Sequence, residues 1–253
     1  MERIVRKPFQ GITNIIRFNW HYYMIAAMAI AALLMVKLFL TEGLEMIPVL
    51  MALLVLSGTI ISLLVSYYVY DRSGIYELNW LNNRQINTNG IIVNINAGFD
   101  ETSVSLTQKY PQAELLVYDF YDPQKHTEIS IERARKAYPP FPGTKTIDTT
   151  DIPLKPNDID HIFLIFAAHE IRNEEERIIF FNQLQKTLKP GGTMIVTEHL
   201  RDLSNFLAYN FGYFHFFSRK TWEGDFKAAE LEIADEFKIT PFITTFILKK
   251  NGA

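Results

Sequence analysis

The sequence contains no cysteine, and this absence excludes several kinds of site at once. Disulfide bridges, thiolate zinc sites and cysteine nucleophiles are all ruled out. A large excess of positive or negative charge is also absent, since 25 Lys and Arg residues stand against 28 Asp and Glu residues, a net charge of −3. No basic block or RNA-binding aromatic motif is present. We therefore expect no nucleic-acid partner.

Apolar residues, by contrast, are concentrated in two long stretches. Residues 24–40 are apolar except for Lys37, and residues 46–70 contain no charged residue. About 20 helical residues cross a hydrocarbon core of about 30 Å, so a transmembrane hairpin is predicted over residues 21–70. The alternative is that both stretches are buried core helices of a soluble protein. It fits poorly with the independent α/β pattern that follows.

Charge around the hairpin predicts its orientation. Four basic residues precede the first apolar stretch, and the connecting turn carries only acidic ones. The positive-inside rule then places the N-terminus and the domain after the hairpin on the cytoplasmic side of the inner membrane. Residues 1–20 are expected to lie in the interface as an amphipathic segment, and residues 71–89 to form a linker or lid. Membrane lipid is an expected partner, and a homo-oligomer formed through the hairpin is left open.

The stretch over residues 90–122 predicts the start of an α/β domain. It reads GIIVNINAGFDETSVSLTQKYPQAELLVYDFYD: a strand, a turn with Gly98, a short helix and a second strand that ends on Asp119. In doubly wound α/β domains a nucleotide-like ligand binds beyond the carboxyl ends of such strands. Gly98 allows the backbone to pass close to a ligand, and Asp119 is placed to accept hydrogen bonds from ribose hydroxyls. Helices are predicted at 123–138 and 173–188, and later strands at 145–147, 160–166, 193–197, 231–237 and 242–248.

With these features, residues 90–250 resemble the class I S-adenosylmethionine-dependent methyltransferases. The most specific match is LKPGG at 188–192, followed by a strand. The resemblance implies a Rossmann-like seven-stranded α/β sheet with helices on both faces over residues 90–253, S-adenosylmethionine as the cofactor, and methyl transfer. The cofactor-binding residues that it implies are Asn96, Ala97, Gly98, Asp119, Phe120, Asp148, Thr149, Phe166 and Ala167.

The first loop departs from the family pattern of an acid followed by three alternating glycines. The corresponding positions hold Asn94, Asn96, Gly98 and Asp100, of which Asp100 is expected to cap the next helix. This departure leaves open a catalytically silent, methyltransferase-like membrane scaffold or binding module. A nicotinamide-dependent reductase is a third reading, disfavoured by the incomplete dinucleotide fingerprint and by LKPGG.

A catalytic base is expected at the carboxyl end of the fourth or fifth strand. His169 and His199 hold these positions, and His169 is preferred because it follows the strand at the switch region, with Glu170 beside it. His215 is a third candidate, and a hydrogen-bonded structural role is the alternative for each. No metal site is predicted, because no histidine pair at helical spacing and no HExxH motif is present.

The acceptor is predicted to be a lipophilic small molecule such as a phenolic pigment, a quinone precursor or a lipid, methylated on oxygen. This prediction combines the hairpin with the aromatic run over residues 206–222, although core packing is the alternative for most of that run. For Trp80 the alternative is packing of the linker onto the domain. The predicted substrate contacts are Tyr76, Trp80, His169, His199, Tyr209 and His215.

Overall fold

The computed structural model describes residues 6–82, 86, 89–125 and 128–252, so the predicted segments 1–20 and 71–89 lie partly outside the described residues. The helices are α1 (Gln10–Phe18), α2 (Trp20–Lys37), α3 (Met46–Tyr67), α4 (Ser103–Lys109), α5 (Ile129–Ala137), α6 (Glu174–Thr187), α7 (Leu203–Tyr209) and α8 (Arg219–Ala228). The strands are β1 (Ile91–Asn96), β2 (Glu114–Asp119), β3 (Lys145–Thr146), β4 (Ile159–Ile165), β5 (Leu188–His199), β6 (Leu231–Thr240) and β7 (Ile243–Lys250). A π-helical turn (Tyr68–Arg72) extends α3, and 3-10 turns cover Asn79–Leu81, Ala168–Glu170 and Asn210–His215.

The seven strands form one mixed sheet in the order β3-β2-β1-β4-β5-β7-β6. β1 to β5 are parallel, and β7 runs antiparallel to both β5 and β6. The central strand β4 is buried along its whole length, which explains its nearly continuous apolar sequence. The predicted seven-stranded sheet is confirmed. The strand order reverses between β1 and β4, and ligands of open α/β sheets bind at such a switch point.

Two elements begin several residues away from their predicted starts. LKPGG does not precede the fifth strand but begins it, because Leu188 pairs with Ile159 ahead of a register irregularity. Gly191 lies there at φ 78°, a conformation that favours glycine. The helix predicted from Pro123 starts later, at Ile129, because residues 123–125 form a turn.

α2 and α3 are long and apolar enough to cross a membrane. No residue of α2 is buried, and in α3 only Pro48, Ala52 and Ser66 are. With its π-helical turn α3 covers 27 residues, a length of about 40 Å. This exposure argues against the alternative of buried core helices.

α1 packs between the π-helical turn and α5. The Asp71 carboxylate accepts hydrogen bonds from the backbone nitrogens of Gly11 and Ile12 at 2.7 and 2.8 Å, so it caps the first turn of α1. On the other side the Tyr138 hydroxyl, just after α5, donates to Asn14 Oδ1 at 2.8 Å. The apolar helices are therefore connected to the α/β domain through α1 as well as along the chain.

Candidate active site

The predicted cofactor residues lie along one edge of the sheet, where two cavities open. The first, of about 110 Å³, lies at the carboxyl ends of β1 and β4, and its walls include Tyr76, Asn96, Ala97, Glu101, Phe166 and Glu170. The second, of about 370 Å³, lies at the ends of β2 and β3 and is lined in part by Phe120, Asp148 and Thr149. Both are at the edge where the topology predicts a ligand.

The turn after β1 uses side-chain hydrogen bonds where the family pattern has glycines. Gly98 has φ 94°, and its backbone nitrogen donates to Asn96 Oδ1 at 3.1 Å. Asp100 Oδ1 accepts hydrogen bonds from the backbone nitrogens of Thr102 and Ser103, both at 2.9 Å, and so caps α4 as expected. Asp100 Oδ2 is buried and has no hydrogen-bond partner among the described residues. The turn therefore presents a carboxylate oxygen that lacks a donor.

Asp119 lies at the end of β2, where the sequence predicts it, but a cation already contacts it. Its Oδ1 accepts a hydrogen bond from the Tyr121 backbone nitrogen at 2.9 Å, and its Oδ2 forms an ion pair with Arg135 of α5. The Arg135 guanidinium lies 4.6 Å from the Tyr121 ring centroid. Because the Arg135 side chain is 40% exposed, it can swing into solvent without disturbing the core.

Two histidines and three carboxylates meet beyond the first cavity. His169 and Glu170 follow β4, Glu198 is near the end of β5, His215 ends the 3-10 turn after α7, and Glu128 precedes α5. His169 Nδ1 is 2.7 Å from Glu198 Oε2, and His169 Nε2 is 3.1 Å from Glu170 Oε1. His215 Nε2 is 3.5 Å from the same Glu170 oxygen and 3.4 Å from Glu128 Oε2. Glu170 therefore stands between the two imidazoles.

These contacts set the charges of the group. Burial alone would lower the pKa of His169, but Glu198 and Glu170 outweigh it and raise that pKa well above its usual value. Burial alone would raise the pKa of Glu170, but His169 and His215 lower that pKa below its ordinary range. Without another cation, an ionised Glu170 therefore faces a protonated His169 at neutral pH.

Comparison with known proteins adds one sequence relative and several structures. No family model matches the chain. Over 111 residues it is 30% identical to a demethylmenaquinone methyltransferase of Chlamydia muridarum, and the match covers 44% of each chain. The chain thus spans less than half the length of this curated relative.

The solved structures that it resembles include two complexes. One is an O-methyltransferase family 2 protein from Planctomyces limnophilus with apigenin (TM-score 0.51, 15% identity, 77% of this chain and 61% of that chain). Another is human N-acetylserotonin methyltransferase with S-adenosylmethionine (TM-score 0.51, 14% identity, 83% of this chain and 57% of that chain). The fold is the Rossmann-like methyltransferase fold. At these identities the likeness establishes the fold alone.

Within this methyltransferase fold, hydrogen bonds and ring stacking hold His199 in place. Its Nε2 accepts a hydrogen bond from the Tyr70 hydroxyl at 2.9 Å, and its Nδ1 donates to the Phe242 carbonyl oxygen at 3.0 Å. The ring is stacked between Phe166 and Phe216, with centroid distances of 5.2 and 4.9 Å. Burial lowers the pKa of His199 to about 4. The geometry therefore favours a neutral His199 that joins the π-helical turn to β5, and the predicted catalytic role stays a prediction.

The other predicted substrate residues divide between the cavity and the core of the methyltransferase fold. Tyr76 lines the first cavity, and its hydroxyl donates to Glu101 Oε2 at 2.7 Å. Tyr209 packs edge-on against His199 with 5.3 Å between ring centroids. Trp80 lies elsewhere: its ring packs 6.1 Å from that of Phe237 on β6. The structure therefore gathers Tyr76, His169 and His215 around Glu170 and leaves Trp80 apart.

Sequence reasoning missed the residues that pair with the predicted ones. Glu198 carried a usable signal, since it is a charged residue directly after the predicted strand at 193–197, next to His199. No comparable signal in the sequence pointed to Arg135 or Glu128. Their positions near Asp119 and His215 depend on how α5 lies across the sheet edge.

Proposed function

We propose that the protein is an integral-membrane, S-adenosylmethionine-dependent methyltransferase that moves a methyl group to a hydroxyl of a lipophilic small molecule at the cytoplasmic membrane face. The observation that carries this proposal is the first cavity. It lies at the switch point of a methyltransferase fold, and Glu170 in its wall contacts both His169 and His215.

The residues along the sheet edge fit the chemistry of the cofactor. When bound, S-adenosylmethionine supplies an electrophilic methyl group on a sulfonium. Asp119 can accept hydrogen bonds from ribose hydroxyls once Arg135 turns away, and the donor-free oxygen of Asp100 suits an ammonium group. Hydrogen bonds from Thr150 lower the pKa of Asp148, which keeps this carboxylate an acceptor beside the second cavity. The ligand named for the human structural neighbour and the sequence relative both support this cofactor.

His169 is the residue that we assign to the acceptor hydroxyl. Methyl transfer to a hydroxyl requires an aligned oxygen that gives up its proton. Glu198, whose side chain is 1% exposed, fixes the imidazole by accepting the Nδ1 hydrogen at 2.7 Å and directs Nε2 towards Glu170. For Nε2 to accept a proton, the proton that it shares with Glu170 must first leave.

An exposed apolar surface next to α3 supports a membrane-derived acceptor. We call it the α7 patch, and its side chains, 46% to 88% exposed, are Leu203, Phe206, Leu207, Phe211 and Phe214. The segment that carries it packs against α3, since a Cβ on Gly58 would lie 3.0 Å from Asn210 Nδ2. Gly58 lies about 12 Å further along α3 from the α/β domain than the buried Ser66. If α3 crosses the bilayer, the α7 patch therefore enters the cytoplasmic leaflet.

The test is methyl transfer by the full chain in lipid nanodiscs. S-adenosylmethionine with a labelled methyl group is supplied together with reduced demethylmenaquinone, a hydroquinone of the acceptor class suggested by the name of the sequence relative, or with membrane lipid extracts, and mass spectrometry distinguishes an O-methyl from a ring-carbon methyl product. We expect label in the lipid fraction, and we expect His169→Ala to reduce turnover by at least about 100-fold with little change in cofactor affinity. Full turnover by His169→Ala removes this residue from the assigned role.

A silent scaffold is the second candidate, and the Arg135–Asp119 ion pair favours it. Arg135 already forms an ion pair with the Asp119 carboxylate oxygen that a cofactor ribose would need. Calorimetric titration with S-adenosylmethionine separates the two candidates. Binding supports the enzyme, and the absence of heat at high micromolar ligand supports the scaffold.

A further inference from the structure

The side chains around Glu170 have the spacing of a metal site. One ligand atom each from His169, Glu170 and His215 lies within 4.8 Å of the others. Glu170 Oε1 is 3.1 Å from His169 Nε2 and 3.5 Å from His215 Nε2. Ligands about 2.0–2.1 Å from a tetrahedral ion are about 3.3 Å apart, so the two distances bracket the expected value.

We propose that His169 Nε2, His215 Nε2 and Glu170 Oε1 bind a divalent transition-metal ion, with Zn²⁺ the best match. Two imidazoles and one carboxylate suit zinc and its neighbours in the first transition row, whereas magnesium and calcium prefer oxygen ligands. Glu128 Oε2, 3.4 Å from His215 Nε2, is within reach as a further ligand. Sequence reasoning predicted no metal here because the ligands come from separate segments.

The surroundings hold these ligands in place. Glu198 accepts the Nδ1 hydrogen of His169 at 2.7 Å, the carboxylate–histidine–metal arrangement that fixes the tautomer and leaves Nε2 for the ion. Arg172 Nη1 donates to the backbone carbonyl oxygens of His169 and His215 at 3.0 and 2.7 Å. One guanidinium thus joins the two segments that supply the imidazoles. These contacts fix the positions of both imidazoles.

The position of the site suggests its use, and this part rests on the proposed function. Glu170 lines the first cavity, so a remaining coordination position would face the acceptor. A bound cation lowers the pKa of an oxygen that it contacts. With the ion on its Nε2, His169 would act on the acceptor hydroxyl as a ligand of the ion and not as a base.

Metal binding by the full chain tests the site directly. Protein purified in detergent without a histidine tag and stripped with a chelator is titrated with Zn²⁺ by calorimetry and with Co²⁺ by its visible absorption. We expect one ion per chain. Binding should be lost in Glu170→Gln and His215→Gln and weakened about 10- to 100-fold in Glu198→Gln. His21→Gln and Glu132→Gln, which change a histidine and an α5 glutamate outside the site, should bind as the wild type does.

The outcomes separate this site from the proposed function, because binding is measured without cofactor or acceptor. Equal Zn²⁺ affinity in wild type and His215→Gln, or no binding by the folded wild type, overturns the site. His215 is partly exposed, and an unchanged unfolding temperature without metal shows that the variant is folded. Zn²⁺ binding without methyl transfer keeps the site and rejects the proposed function. Full turnover by metal-free protein rejects the role of the ion.

Discussion

At the residue scale, the ion pair between Arg135 and Asp119 would have to open before a cofactor ribose could bind this carboxylate oxygen. An ion pair with a partly exposed partner contributes about 0.2–1 kcal/mol, so Arg135→Ala should strengthen S-adenosylmethionine binding about 1.4- to fivefold in calorimetric titration. Lys136→Ala is the matched control, because its ion pair with Glu132 is exposed and outside the cavities. Its affinity should equal that of the wild type. Weaker binding by Arg135→Ala would mean that Arg135 contacts the cofactor instead of competing with it.

His199 should make stability depend on pH. Its pKa of about 4 in the folded protein lies below the ordinary value of about 6.5, since burial outweighs its hydrogen bonds to Asn205 and Phe242. As pH falls, the unfolded chain takes up this proton first. The contribution of a neutral His199 to the free energy of unfolding is therefore fully present above about pH 6.5. It is lost as the pH falls towards 4, by at most about 3 kcal/mol.

Comparison with a variant isolates this effect from the other titrating groups. Between about pH 7 and pH 4 the unfolding temperature of His199→Gln should fall less than that of the wild type. The charge of His169 lowers the pKa of His199 and that of Asp202 raises it. Burial therefore remains the largest cause of the shift. Parallel curves for the two proteins would show that His199 titrates normally in the folded state.

The sequence predicted where the site residues lie in the fold better than it predicted which side chains contact them. Asp119 and His169 stand at strand ends, and strand ends can be read from an apolar run. Pairing His169 with Glu198 required knowing that β4 and β5 are neighbours with Ile165 beside Thr197. Pairing Asp119 with Arg135 required the placement of α5, for which no local pattern exists.

At the element scale, the contact between α1 and the π-helical turn depends on Gly11. A Cβ there would lie 2.5 Å from Tyr70 Cβ and 2.9 Å from the Tyr70 carbonyl carbon. Gly11→Ala should therefore cost about 1–3 kcal/mol, lower the unfolding temperature and speed tryptic cleavage at the exposed Arg17. The backbone atom at this contact cannot rotate away.

Gly224 in α8 provides the matched control, because a Cβ there would meet nothing within 4 Å. Gly224→Ala should leave cleavage unchanged and raise stability by about 0.5–1 kcal/mol, since glycine is unfavourable inside a helix. Equal effects of the two substitutions would show that α1 does not pack tightly on the turn.

The elements that sequence predicted best are those with a clear period or a long apolar run. The parallel strands, α6 and the two apolar helices belong to this group. The 206–222 run was harder, because its eight Phe, Tyr and Trp residues follow neither a helical nor a strand period. It resolves into α7, a 3-10 turn and the start of α8. Its two surfaces differ: Trp222 is fully buried, whereas Phe211 is 88% exposed.

At the scale of the whole molecule, the candidate site is not confined to residues 90–253. Tyr76 forms part of the cavity wall, and its hydroxyl and the Arg6 guanidinium both contact Glu101. Arg6 also lies 3.8 Å from the Tyr76 ring centroid. The segments on both sides of the apolar helices thus help to build the cavity. A fragment restricted to the α/β domain would lack part of its wall, so experiments on this site require the full chain.

Under the proposed function, the α7 patch would guide a lipophilic acceptor from the bilayer to the cavity. Phe211→Glu places a charge where the membrane proposal requires lipid, which is costly at depth in a bilayer. Turnover should fall with an acceptor embedded in nanodiscs and stay unchanged with a short-chain, water-soluble analogue. Ile179→Glu is the control, because Ile179 is also an exposed apolar residue but lies on α6. It should leave both rates unchanged. If Phe211→Glu and Ile179→Glu behave alike in nanodiscs, the α7 patch lies outside the bilayer and the acceptor enters by another route.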